Sequence, residues 1–379
     1  MGMFFSSLYV HVPLCIKKCK YCSFYSLSYD EDIERLYIKA LLKEIEIAKE
    51  IPHIVKTIYI GGGTPSCLSI QGLERILLSL RKNFKTAYDL EFSIEINPKT
   101  INMQRLCLMK DFGVNRLSIG VQSFNDKELL FLGRIHNSKD AIKTVELALN
   151  QGFRNISIDL IYGIPIQTLK SWQETLNKAV NINVVHISLY ELSVEHNTQL
   201  ENELKLKRFS LPSEDEVIAM YDFATDFLES RGYNKYEISN FAKDGFQCRH
   251  NISYWLRMPY LGLGPSAHSF IDNKRFHNPS DLIFYAKTLL NGKFGWIYDY
   301  SVDKVEELKE KIFLGLRMKN GITLEKKCLL DFFKIFEQEQ LLILSGNTVR
   351  LTNKGMTVSN EIFAQVLLHI ENCPVCKQE

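Results

Sequence analysis

The stretch "CIKKCKYCSFYS", Cys15–Ser26, follows directly on the apolar run "LYVHVP", Leu8–Pro13. It spaces three cysteines as Cys-x3-Cys-x2-Cys at the end of a strand-like segment. A short loop can curl three Cβ vectors toward one point, so Cys15, Cys19 and Cys22 read as thiolate ligands of one metal centre. Tetrahedral zinc wants a fourth nearby ligand, and His11 is available for it. A [4Fe–4S] cube normally takes four cysteines, so three leave one iron free for an external molecule.

Working outward, the chain alternates short apolar runs with amphipathic stretches up to about residue 190. After Leu8–Pro13 the runs are Val55–Ile60, Leu90–Ile96, Asn115–Val121, Asn155–Ile161 and Val184–Tyr190. They are strand-length and rich in β-branched residues. Helical spacing of apolar residues marks 30–50, 69–82, 101–112, 125–151 and 168–181. Strands separated by helices predict an α/β fold with a parallel sheet. Cys15, the turn Gly61–Thr64, Glu95, Gln122 and Asp159 each stand where an apolar run stops. In a barrel those ends surround one mouth, which favours a partial TIM-like (βα)6 barrel over an open doubly wound sheet. Residues 1–190 are therefore expected to form the (βα)6 core and 191–300 an aromatic and glycine-rich extension. Residues 301–379 are expected to form a helical, winged-helix-like domain whose wing is "NTVRLTNKG", Asn347–Gly355.

Bulk properties narrow the partners. Forty-six basic residues against 44 acidic ones leave a net charge of +2, which gives no support for nucleic-acid binding. No run approaches the ~20 apolar residues of a membrane span, and "MGMFFSSLYVHVP" lacks the parts of a signal peptide. A cytoplasmic location is expected, where clustered cysteines read as metal or redox ligands.

Several further segments carry a resemblance: "YVHVPLCIKKCKYCSF", "YIGGGTPS", "EINP", "GVNRLSIGVQSFNDKELLFLGRIHN", "IDLIYGIP", "HISLYEL" and "YEISNFAKDGFQCRHNISYWLRMPYLGLGPSAHS". Together, in order from about residue 8 to 280, they resemble the radical S-adenosylmethionine (SAM) proteins. The likeness is to the group of oxygen-independent coproporphyrinogen III dehydrogenase and the HemW-type haem chaperones. The resemblance implies a radical SAM barrel in which Cys15, Cys19 and Cys22 hold the cluster and Tyr9 and Tyr21 pack near it. It further implies that Gly62, Gly63 and Thr64 lie beside the methionine end of SAM, and that Glu95, Gln122, Arg134 and Asp159 are polar SAM contacts. A local reading of each polar residue, as a helix cap or surface pair, stands beside this one.

Two departures separate the branches. The dehydrogenase type resembles Cys-x3-Cys-x2-Cys-x-Cys, but the last position here is Phe24, and the first strand-like run begins already at Leu8. "HNISYW", His250–Trp255, matches the HemW-type His-Asn-x-x-Tyr-Trp motif, which implies haem bound through His250, Tyr254 and Trp255. His and Tyr are possible axial donors to haem iron, and Trp offers a flat apolar face. A packing role for the same turn, and His268 or Cys248 as donors, remain open, and Pro265 departs from the branch's usual small-residue loop. The implied function is binding of a [4Fe–4S] cluster, SAM and haem, with haem delivered to an acceptor apoprotein and an external electron donor serving the cluster. The alternative is an enzyme that oxidatively decarboxylates coproporphyrinogen III to protoporphyrinogen IX in haem biosynthesis. Near the terminus, His369, Cys373 and Cys376 form a separate H-x3-C-x2-C candidate for zinc or haem.

Overall fold

The computed structural model describes residues 4–377; Met1–Met3 and Gln378–Glu379, which the expected outer domain limits include, lie outside the described residues. Six strands appear where the apolar runs predicted them. They are β1 (Phe5–Val12), β2 (His53–Gly62), β3 (Thr86–Ile96), β4 (Arg116–Gln122), β5 (Asn155–Tyr162) and β6 (His186–Glu191). Each pairs in parallel with the next. That consecutive order is the order of a barrel wall, and it brings every carboxyl-terminal strand end to the same rim. The structure is thus a partial (βα)6 barrel, left open because the sheet continues past both ends of the parallel run.

Beyond β6 the sheet turns antiparallel with β7 (Asn234–Lys235) and β8 (Asn240–Ala242), β8 pairing with β6. On the other side β9 (Tyr260–Leu263) adds a seventh parallel strand beside β1, followed by antiparallel β10 (His268–Ile271), β11 (Lys274–His277) and β12 (Ile297–Ser301). The sequence reading left this glycine-rich stretch without assigned strands. Its apolar runs are only about four residues long, too short for periodicity to show.

Helices α1 (Glu31–Ala48), α2 (Ile70–Asn83), α3 (Met103–Asp111), α4 (Ser138–Asn150) and α5 (Leu169–Asn181) cover the barrel wall. Their starts are capped: the side chains of Asp30, Ser69, Asn102, Asn137 and Thr168 accept from first-turn amides. The single helix expected over 125–151 is divided. Its first part ends at Phe131, and the chain turns at Gly133 with φ +76 before α4 begins. The interruption carries Arg134 to the rim.

The α6 helix (Glu214–Ser230) lies against α5, where the buried Trp172 Nε1 donates to the Met220 carbonyl at 2.9 Å. After the seven-residue α7 (Arg249–Trp255) and α8 (Leu282–Leu290), the last part of the chain contains α9 (Lys304–Gly315), α10 (Lys327–Gln338) and α11 (Ser359–Asn372). A three-stranded sheet in the order β13 (Ile322–Thr323), β15 (Thr348–Leu351), β14 (Leu342–Ser345) completes it. The β14–β15 hairpin is the wing read from "NTVRLTNKG". Leu316, Phe333, Val349, Val366 and Ile370 belong to a core separate from that of the barrel.

A buried carboxylate ties the added strand to the barrel. Glu44 on α1 is fully buried and accepts from the Gly264 amide at 2.7 Å, the Asn278 side chain at 2.7 Å and the Tyr285 hydroxyl at 2.6 Å. Glu44→Ala leaves three buried donors unsatisfied and should destabilise the fold by about 3–5 kcal/mol, read as a lower urea midpoint. An unchanged midpoint would mean that this contact does not hold β9 to the barrel.

Candidate functional site

The strand ends enclose one cavity of about 480 Å³, within the size range of small-molecule sites. Cys15, Cys19, Cys22 and Tyr21 line it on one side. The β2 turn supplies Gly62, Gly63 and Thr64, and the following strands supply Glu95, Gln122 and Asp159, with Arg134 from the broken helix. The expected site residues from four strands and two loops are therefore gathered at one place. Tyr9 is the exception within the barrel. It does not line the cavity, and its hydroxyl pairs with His11 Nδ1 at 3.0 Å while its ring stacks on Tyr59.

Backbone hydrogen bonds hold the cysteine loop at its base and along its length. Leu27 donates its amide to the Pro13 carbonyl at 2.6 Å and Tyr29 to that of Cys15 at 2.8 Å, closing the loop at its base. The Cys22 amide donates to the Cys19 carbonyl at 3.3 Å, and the Lys20 amide to the Leu132 carbonyl at 3.1 Å. Arg134 Nη1 lies 3.2 Å from Cys19 Sγ, and the Thr64 hydroxyl donates to Cys15 Sγ at 3.6 Å. Burial raises the thiols of Cys15 and Cys22, the direction a bound cationic centre reverses by favouring thiolate. No further cysteine among the described residues lines the cavity.

Glycine in the β2 turn has a steric reason. Gly62 has φ +106, and a Cβ on Gly63 would sit 2.6 Å from the Leu14 carbonyl oxygen and 3.0 Å from Cys15 Sγ. The turn is pressed against the cysteine loop, with amides of Gly63 and Thr64 donating to the Val12 and Leu14 carbonyls at 2.8 and 2.7 Å. Gln122 is held at φ +68 beside a register shift in the β4–β5 ladder, a bulge that re-aims the end of β4.

The donor set fits a three-cysteine [4Fe–4S] cluster and a small zwitterionic ligand beside it: three thiols on one loop, one cation and two half-buried carboxyls face one space. It does not fit the zinc alternative through His11. That imidazole contacts the Tyr25 carbonyl through Nε2 at 2.9 Å and Tyr9 through Nδ1, so both ring nitrogens are already engaged. Phe24, in place of the further cysteine, lines the cavity mouth and is 66% exposed.

Sequence reasoning missed two rim residues. Asn97 donates to the Thr64 hydroxyl at 2.9 Å and accepts from Arg134 Nη2, which also reaches the Gly120 carbonyl at 2.7 Å. Its signal was present, since it follows the end of β3 within "EINP". Tyr190, at the end of β6, also lines the cavity.

The "HNISYW" residues are elsewhere. His250, 1% exposed, contacts Thr57 Oγ1 through Nδ1 at 2.8 Å and the Tyr254 hydroxyl through Nε2 at 2.9 Å, while stacking on Tyr59. Burial lowers its pKa to about 3, so the ring is neutral. Trp255 is half-buried under the Arg317 guanidinium, 4.6 Å from its ring. Both ring nitrogens of His250 are engaged in this conformation, so service as an axial donor would require it to give up Thr57 or Tyr254. Cys248 is also buried, whereas the His268 side chain is 65% exposed.

Glu95 supplies a pH test. Burial, then the charge of Asp159, pushes its carboxyl up to about 7 from 4.5, although the Tyr59 hydroxyl donates to it at 2.9 Å and the Gly62 amide at 3.1 Å. As pH rises the unfolded chain therefore loses this proton first. SAM-free protein should lose roughly 3 kcal/mol of stability between about pH 4.5 and 7 through this group, then level off. Glu95→Gln should flatten that part of the urea-midpoint profile; an unchanged slope would place the raised proton elsewhere.

Residues 9–179 match the Radical SAM superfamily. The chain is 35% identical over 374 residues to the Bacillus subtilis protein named "Heme chaperone HemW", covering 95% of this chain and 99% of that one. With the Escherichia coli protein of the same name it shares 38% identity over 265 residues, 69% of each chain. The solved structure of the E. coli coproporphyrinogen III oxidase HemN, a radical SAM enzyme, superposes with a TM-score of 0.85. That match covers 96% of this chain and 90% of HemN at 24% identity, and it establishes the shared fold. The chain belongs to the HemW family of radical SAM proteins.

Proposed function

We propose that this protein is a haem chaperone in which Cys15, Cys19 and Cys22 hold a [4Fe–4S] cluster and the strand-end cavity holds SAM. Haem is bound and passed to an acceptor apoprotein, and an external donor supplies the cluster with electrons. The observation that carries the reading is the convergence of three cysteines, without a fourth, on the same cavity as Glu95, Asp159 and Arg134. When bound, the cluster would offer one iron without a cysteine ligand to the amino and carboxylate groups of SAM.

The chain's own residues prepare this site. Arg134 donates to Cys19 and offsets thiolate charge in a place from which water is partly excluded. Glu95 and Asp159 present acceptors to the cationic parts of SAM, and Gln122 lines the same wall. Tyr59 holds the Glu95 carboxyl and stacks on His250, so the "HNISYW" turn is tied to the SAM wall through one ring. A cytoplasmic setting suits this reading, since it keeps the nine cysteines reduced. No helix among the described residues is long and apolar enough to cross a membrane.

The test separates a haem ligand from a positioning residue. His250→Ala removes a ring from the core and leaves the Thr57 and Tyr254 hydroxyls without it, at a cost of about 2–4 kcal/mol. The expected result is a lower urea midpoint with loss of both haem retention and SAM affinity. Haem loss in a His250→Ala protein with unchanged stability and SAM affinity would instead make His250 the ligand. Wild-type protein that retains no haem through gel filtration would overturn the chaperone reading.

A further inference from the structure

The fold regroups the terminal metal candidate read from the sequence. His369 stacks on Phe332 with ring centroids 4.1 Å apart and does not join the two tail cysteines. Cys328 does. It lies in the first turn of α10, Cys373 caps α11, and Cys376 lies in the short turn Pro374–Lys377.

The three sulfurs all lie within 4.8 Å of one another, and those of Cys328 and Cys376 are 3.3 Å apart. Tetrahedral zinc with zinc–sulfur bonds of about 2.3 Å needs sulfurs about 3.8 Å apart, so small side-chain rotations bring this set onto one ion. The backbone is already curled for it: the Cys373 amide donates to the His369 carbonyl at 2.9 Å, and the Cys376 amide to the Cys373 carbonyl at 3.1 Å. A Cys-x2-Cys turn of this kind is a common half of a zinc site, and Cys328 completes three ligands from a distant helix.

The surroundings also suit a metal. Cys376 is buried among the side chains of the carboxy-terminal core, and Cys328 and Cys373 pack at its edge. A pairwise disulfide would use two of the three sulfurs and leave the third stranded beside it. A zinc-class dication uses all three. It would clamp the start of α10 to the end of α11 and close the core that these helices cover.

We propose that Cys328, Cys373 and Cys376 form a thiolate site for a zinc-class dication, distinct from the cysteine loop at the barrel rim. The proposal does not depend on haem or SAM binding. The test uses the full chain, prepared anaerobically with its iron–sulfur site loaded so that Cys15, Cys19 and Cys22 are occupied. Zinc is titrated against a chromophoric chelator, and cobalt(II) serves as the spectroscopic probe.

The expected result is one bound zinc per chain in addition to iron, tetrahedral cobalt–thiolate bands, and a higher melting temperature with zinc. Cys373→Ser, at a half-buried position, and the double variant C328S/C376S should each bind zinc more than about 100-fold more weakly, with iron content unchanged. Three results would overturn the site: wild-type chain that takes up no zinc, full zinc affinity in the double variant, or a Cys328–Cys376 disulfide in the anaerobic protein.

Discussion

The structure depends on one constraint, the consecutive parallel pairing of β1 to β6. Because each strand pairs with its successor, the chain reaches the same rim six times, and each arrival delivers a different side chain. Slipping one strand by a residue would turn its rim group to the other face. Register therefore sets the distances on which cysteine loop, glycine turn and carboxyls depend. Arg134 then fastens the rim, joining Cys19 of the first loop to Asn97 after β3 and Gly120 within β4. A single guanidinium thus links three otherwise separate segments through charge-assisted bonds, and little of its geometry could change without moving a cysteine.

A second consequence lies beneath the rim. Glu95, Tyr59, His250 and Tyr254 form an unbroken series of hydrogen bonds and ring contacts from the cavity wall to α7. Glu91, four residues before Glu95 on β3, accepts the amides of Arg249 and His250 at 2.9 Å each and so anchors the start of that helix. The segment that the family resemblance assigns to haem is thereby built into the barrel wall. Its histidine is neutral, enclosed and fully occupied, and a ligand could reach it only by displacing Thr57 or Tyr254.

Much of this was legible in the sequence where short-range chemistry decides. The six apolar runs and the cysteine spacing each carry their meaning locally. The cavity set was legible because a parallel βα rhythm fixes where strand ends meet. What could not be read depends on distant partners. Nothing local marks Glu44 as the acceptor for groups more than two hundred residues away, or Cys328 as the neighbour of Cys376. The break before α4 was hidden because its flanks keep helical spacing across Gly133. His250 was assigned by motif resemblance, while its burial follows from Thr57 and Tyr59, whose roles no motif announces.

The central claim is that three cysteines leave one iron of a cluster open toward the cavity. Electron paramagnetic resonance of the anaerobically reconstituted and reduced chain, recorded with and without SAM, tests it directly. A reduced [4Fe–4S] signal whose shape changes when SAM is added, and which is absent when Cys19 is replaced by alanine, is the predicted result. A cluster signal indifferent to saturating SAM, or one that persists without Cys19, would contradict the account.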